Sequence, residues 1–326
     1  ATVGGKLTLT GANGIGQSGA IHATALNATT TGGAITLGNA GNIFNTANLT
    51  TGGSDNATLY DASALTIAGA NVGGTLAVSG GSTIGQSGAI HAASLSATTT
   101  NGAITLTNTG NTFANASLNT SGSDNASLYD ASALTIAAAN IGGNLALSGG
   151  GTIGQSGAIH AASLNVTTTN GAITLTNTGN TFGPATLSTA GSDNASLYDA
   201  SALTIASANI GGTLTLSGGS TIGQTGAIHA NALSATTTNG AITLTNTGNT
   251  FGAVTLATGG ADNVSLYDAV DMSVASATVG GTLNLSGGGA IGQTGTIHAT
   301  ALNVTTNGGA ITLTNAANSF GTATLA

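Results

Sequence analysis

Apolar and small polar residues alternate in short stretches along this chain. Leu76 and Val78 alternate with Thr75, Ala77 and Ser79; Ile104 and Leu106 alternate with Thr105 and Thr107; Leu134 and Ile136 flank Thr135. A period of two is the signature of short strands with one buried face. Between these stretches lie turn formers: Gly73-Gly74, Gly80-Gly81, Asn101-Gly102, Asn108 to Asn111, and Ser123-Asp124-Asn125. Gly and Asn tolerate positive φ, so each cluster predicts a corner. No stretch carries the i, i+3, i+4 spacing of an amphipathic helix. The single proline, Pro184, stands just before the strand-like Ala185-Thr186-Leu187, where a missing N–H is tolerated.

The whole pattern then recurs. His22, His91, His160, His229 and His298 follow one another at a constant 69-residue step, and Phe44, Phe113, Phe182, Phe251 and Phe320 keep the same step. So do Tyr60, Tyr129, Tyr198 and Tyr267. No insertion or deletion breaks the period, which gives about 4.7 copies of one unit. Such spacing suits a stack in which every copy meets its neighbour in register. Strands opening at Leu76, Leu95 and Leu118, with Leu145 opening the next copy, divide the unit into three unequal steps. They average about 23 residues, which suits one turn of a β-solenoid with short strands. Sandwich modules or propeller blades would not require an indel-free period. The expectation is an all-β parallel solenoid, continuous over residues 1–326, with about three coils per repeat. About 14 coils at about 4.8 Å would make a rod roughly 67 Å long. Its core should contain Leu76, Val78, Ile104, Leu106, Phe113, Leu134, Ile136 and their equivalents, with Met272 replacing Leu203 at similar volume.

Composition narrows the function. Of 326 residues, 54 are Gly and only 3% are charged, and Lys6 is the one basic side chain. One Lys cannot neutralise a phosphate backbone, so nucleic acid is not an expected partner. With no Cys there is no disulfide framework or thiolate metal site. Thr, Asn, Ser and Gly interrupt every apolar run, so no segment reads as a membrane-spanning helix. Polysaccharide lyases need basic groups and hydrolases need paired acids at roughly 5–10 Å. This chain has no Arg and no Glu, and a columnar repeat would copy any site four or five times. No enzyme activity, cofactor or metal is expected.

Spacing decides what the recurring polar residues can do. Identical histidines three coils apart would stand about 14 Å from each other, too far to share an ion. Asp124 and Asp130, repeated as Asp55/Asp61, Asp193/Asp199 and Asp262/Asp268, would lie about 20 Å apart if the intervening residues are extended, which defeats calcium binding. Asp124 reads as an Asx-turn residue and Asp130 as a turn residue at a strand end. The tyrosines Tyr60, Tyr129, Tyr198 and Tyr267 are the candidate surface contacts, since an inward Leu128 sends Tyr129 outward. Such a row could touch glycans or a partner fibre, or lie flat over a neighbouring coil. Thr105 and Thr107 raise an ice-binding reading, but Thr-x-Thr recurs once per three coils only. Sequons such as Asn125-Ala126-Ser127 arise readily in Asn-rich turns.

One combination of motifs points to a family. Gly73-Gly74-Thr75-Leu76-Ala77-Val78-Ser79-Gly80-Gly81, then Ile84-Gly85-Gln86-Ser87-Gly88-Ala89-Ile90, Gly102-Ala103-Ile104-Thr105-Leu106-Thr107-Asn108 and Leu128-Tyr129-Asp130-Ala131 resemble the central repeats of filamentous-haemagglutinin-like exoproteins. The resemblance covers essentially all of residues 1–326. It implies a right-handed parallel β-helix, export from a Gram-negative cell by two-partner secretion, and an adhesive or matrix role at the cell surface or outside it. The Asn-Pro motifs of that family's secretion domain are not present here. Neither end reads as a cap, so the stack is expected to continue into further repeats or a further copy, end to end.

Overall fold

The computed structural model describes all 326 residues and contains 30 strands and no helix. It divides into two compact units, Ala1–Ser163 and Leu164–Ala326. The described strand pairings within each unit are parallel, as chain winding in one direction requires.

In the first unit the turns build two ladders. In one, Ile15, Ile35, Ala57, Leu76, Leu95, Ala116, Ile136 and Gln155 stack in succession. In the other, Lys6, Ala25, Thr46, Thr66, Gly85, Thr105, Ser127 and Ala146 do the same. Each ladder takes seven turns to advance about 140 residues, or about 20 residues a turn. The turn is therefore shorter than the length of about 23 residues expected from sequence. The chain holds about 16 turns, not 14.

The difference comes from one long strand. Leu134–Gly149 bends without breaking, and its two halves serve different ladders. Thr135 to Asn140 pair with Asn115 to Asn119, and Leu145 to Gly149 pair with Ala126 to Asp130. The strand thus supplies two half-turns. The repeat contains seven half-turns, or three and a half turns. Because seven is odd, each copy begins on the ladder opposite its predecessor.

The second unit follows the same rule. Ile173, Ala195, Leu214, Leu233, Val254, Val274 and Gln293 stack in one ladder. Leu203, Ile222, Ile242, Val264, Leu283, Leu302 and Ala323 stack in the other. Pro184 leaves its mark here: the strand equivalent to Thr112–Asn119 is split into Thr181–Phe182 and Ala185–Ser188.

Packing matches the alternation read from sequence. Leu76, Val78, Ile104, Leu106, Phe113, Leu134 and Ile136 are all buried, as is Met272 in place of Leu203. Columns of Leu, Ile, Val and Ala fill the space between the ladders, each turn covering the apolar face of the next.

Candidate functional site: corner carboxylates and surface grooves

The polar groups of the repeat gather at its corners. Asp130 is completely buried. Its Oδ2 accepts from the Phe113 amide at 2.5 Å, and its Oδ1 accepts from the Ser132 amide at 2.6 Å and the Ser132 hydroxyl at 2.7 Å. Asp61 and Asp199 repeat this set with Phe44 and Ser63, and with Phe182 and Ser201. A buried carboxylate needs such donors, and here it ties one corner to the strand a turn before it. Asp124 reaches outward along the stack, accepting from the Gly102 amide at 2.6 Å. Asp55, Asp193 and Asp262 hold Gly33, Gly171 and Gly240 in the same way. The sequence reading of these aspartates as local turn residues captures the Ser132 contacts and the turn that the Asp124 amide closes on the Ser121 carbonyl at 3.2 Å. It misses the partners a turn away.

A second network lies outside the expectations from sequence. Asn111 is completely buried. Its Oδ1 accepts from the Ile90 amide and from Gln86 Nε2, while its Nδ2 donates to Gln86 Oε1 and the Leu106 carbonyl. Asn42 with Gln17 and Asn249 with Gln224 form the same pair. The sequence does carry a signal, a Gln and an Asn 25 residues apart in each copy. Without the turn length it does not read as a contact.

Shallow grooves lie against three of these corners. In the first unit one groove of about 230 Å³ is lined by His22, Ile43 and Asn45, and another of about 360 Å³ by Ala93, Phe113, Ala114 and Ser132. In the second unit the corresponding groove reaches about 590 Å³. Its lining includes Asn231, Gly252, Val270 and Asp271, at the positions of Ala93, Ala114, Ser132 and Ala133.

The carboxylate behind this groove is less well served. Val270 has no hydroxyl, so Asp268 accepts only from the Val270 amide at 3.1 Å and from the Phe251 amide at 3.3 Å. Burial pushes its carboxyl from 3.8 up to about 6; the Val270 and Phe251 amides pull it back, and the Asp271 charge adds to the rise. The folded state therefore binds this proton more tightly than the unfolded chain. Its contribution to stability is full below about pH 3.8 and is lost as pH rises through about 6. The loss is at most roughly 3 kcal/mol, at about 1.4 kcal/mol per pH unit. Urea midpoints from pH 4 to 7 should show the native protein falling relative to Asp268→Asn. A constant difference across that range would contradict the assignment.

The tyrosines and histidines do not form the rows expected. Tyr60, Tyr129, Tyr198 and Tyr267 are half-buried. Tyr60 pairs with Ser79, whose stack continues through Thr98, Asn119 and Asn140. Tyr129 pairs with Ser148 in the opposite ladder of the same unit. Tyr198 and Tyr267 are opposed likewise, beside Ser217 and Ser286. The expected row, spaced about 14 Å along one face, fails because three and a half turns separate successive copies. All five histidines are exposed. His91 and His229 share hydrogen bonds of 2.8 Å with the Thr112 and Thr250 hydroxyls, and His22 meets the Gly41 carbonyl at 3.0 Å. No group of His, Asp or Glu is arranged to hold a metal ion.

A protein-family model described as repeats of unknown function (DUF5649) matches residues 1–51, 54–120, 123–189, 192–258 and 261–326. The chain belongs to this family. The later DUF5649 repeats open at 54, 123, 192 and 261, each directly after a glycine of positive φ: Gly53, Gly122, Gly191 and Gly260. No curated protein and no solved structure matches the chain. The DUF5649 repeat is thus a β-solenoid repeat of three and a half turns. That architecture fits a structural role.

Proposed function

We propose that the chain is a structural and adhesive solenoid of a bacterial surface or secreted protein, acting as stalk, filament or matrix scaffold. The observation that carries this reading is where its few charges go. Eight of the nine aspartates occupy the two corner positions of the repeat, where their carboxylates hold backbone amides. Most of the remaining polar surface is hydroxyl and amide, in rows such as Tyr60, Ser79, Thr98 and Asn119. Rows of this kind suit broad contact with neutral surfaces, glycans among them, and not turnover of a substrate. An extracellular setting fits the lack of Cys and the single Lys, which leaves trypsin-like proteases almost nothing to cut. The resemblance to filamentous-haemagglutinin-like exoproteins supports the same setting, with further repeats or copies stacked end to end.

Immunogold labelling of intact cells of the producing organism tests the location. Label on unpermeabilised surfaces or shed filaments is expected; label that appears only after permeabilisation would overturn the reading. Replacing Tyr60, Tyr129, Tyr198 and Tyr267 together by Ala should lower adhesion severalfold while retaining the β-sheet circular dichroism spectrum. Unchanged adhesion would remove the tyrosines from the contact surface.

A further inference from the structure

In a protein built by repetition, departures from the repeat mark what the scaffold alone does not require. Of the nine acidic residues, eight fall at the two corner positions of the repeat and only Asp271 stands outside them. The equivalent positions are Ala64, Ala133 and Ala202. Its neighbour Val270 replaces Ser63, Ser132 and Ser201, and is 47% exposed where a hydroxyl would sit comfortably in water. Asn231 replaces Thr24, Ala93, Ala162 and Thr300, while Gly252, shared with Gly183 and Gly321, lacks the Ala114 methyl. All four line the same groove of the second unit, at about 590 Å³, a volume in the range of small-ligand sites. Val270 gives it an apolar wall and Phe251 an apolar floor. Asp271 gives it a charge.

The geometry points to a binding site for a primary alkylammonium group in this groove. Asp271 Oδ1 accepts from the Ala290 amide at 2.8 Å, which fixes the carboxylate and leaves its other oxygen to receive an ammonium N–H. An aliphatic shank would lie on Val270, which a solvated inorganic cation would not use. Asn231 offers an amide acceptor at the rim. The arrangement selects a cation with methylenes attached, carried either by a lysine side chain of a protein or by a free amine. A bound cation would also offset the repulsion between Asp271 and Asp268. By linkage the amine should bind more tightly as pH rises through about 6, and should in turn hold Asp268 more readily ionised. The titratable groups around the groove are Asp268, Asp271 and, through its bond to Thr250, His229.

The test uses the full chain with Lys6→Gln, so that its only ammonium side chain does not compete. Met272 is the sole methionine and directly follows Asp271, so a labelled Met methyl gives one reporter signal. Titration with n-butylammonium chloride should move that signal saturably, with a Kd of about 1–10 mM for so shallow a groove. Sodium butyrate and n-butanol should not move it. Asp271→Asn, which keeps the acceptor for Ala290, should weaken binding at least tenfold, and Val270→Ser severalfold. A lysine dipeptide with blocked termini binding as tightly as butylammonium assigns a protein source; weaker binding assigns free amines. Installing Ala93→Asn, Ala114→Gly, Ser132→Val and Ala133→Asp should create a second site in the first unit. The proposal is overturned by a signal that does not saturate, by butanol reproducing the shift, or by an unchanged affinity in Asp271→Asn.

Discussion

Asp130→Ala should destabilise the first unit by roughly 2–6 kcal/mol, one of the two largest effects expected from any single substitution in this chain. The magnitude follows from what is left behind. The buried Phe113 amide would be orphaned at about 1–3 kcal/mol, and the part-buried Ser132 amide would lose a charge-assisted bond of similar worth. Asp130→Asn should fall between, because an amide oxygen replaces one acceptor and its NH2 group opposes the other donor. Because neighbouring turns support one another, the loss should be local first: hydrogen exchange at Phe113 and Ser132 should accelerate before the global midpoint moves. An Asp130→Ala protein within about 0.5 kcal/mol of the native one, with protected amides at both positions, would show the carboxylate to be dispensable.

What the sequence made legible was what is periodic and local. The 69-residue step and the alternation of Leu76 with Ala77 and Val78 define a stacked all-β fold with its inward residues, because burial of one strand face enforces a period of two. The winding number was hidden. Gly73-Gly74 has the composition of a turn, yet it lies inside the continuous strand Leu65–Gly80. Positive φ does occur at Gly102, in the Asn101-Gly102 corner, but also at Gly53 and Gly122, each one turn before such a doublet. Leu95 stacks on Ala116 and not on Leu118, so matching like with like overestimates the turn. The corner chemistry was hidden for the same reason. Ser132 is two residues from Asp130 and reads as a turn partner, but Phe113 lies 17 residues back and Gln86 lies 25 residues from Asn111. Such contacts become visible only once a turn is known to take about 20 residues. The groove with Asp271 escaped because periodicity exposes what repeats, and its distinctive residues are the ones that do not.

The same winding number has a consequence for display. A repeat of three whole turns would put every Tyr and every groove on one face of its unit. Three and a half turns put Tyr60 and Tyr129 on opposite ladders, and the same holds for the grooves at His22 and Phe113. Duplication of a single unit therefore gives each unit two similar faces without further change in sequence.

The glycine doublets provide the second large effect. A Cβ at Gly142 would collide with the Gly122 carbonyl, and the equivalent Gly73, Gly211 and Gly280 face Gly53, Gly191 and Gly260 in the same way. The opposing atoms are backbone, and Gly122 is itself held at a φ of 57°, so neither side can yield by a side-chain rotation. Gly142→Ala must push the Ser121 to Asn125 turn away from the strand that it covers, at a cost of more than about 3 kcal/mol. Gly122→Ala meets nothing within 4 Å but keeps a left-handed φ, so about 1–2 kcal/mol is expected. Gly85→Ala meets open space without that φ and should be neutral or gain about 0.4–1 kcal/mol through the unfolded chain. Denaturant midpoints of the three variants should therefore fall in the order Gly85→Ala, Gly122→Ala, Gly142→Ala. Side-chain bulk alone would make them equal, since each adds one methyl group. If Gly142→Ala proves no worse than Gly122→Ala, the strand and the turn beneath it are not in the close contact that makes the doublet glycine in every copy.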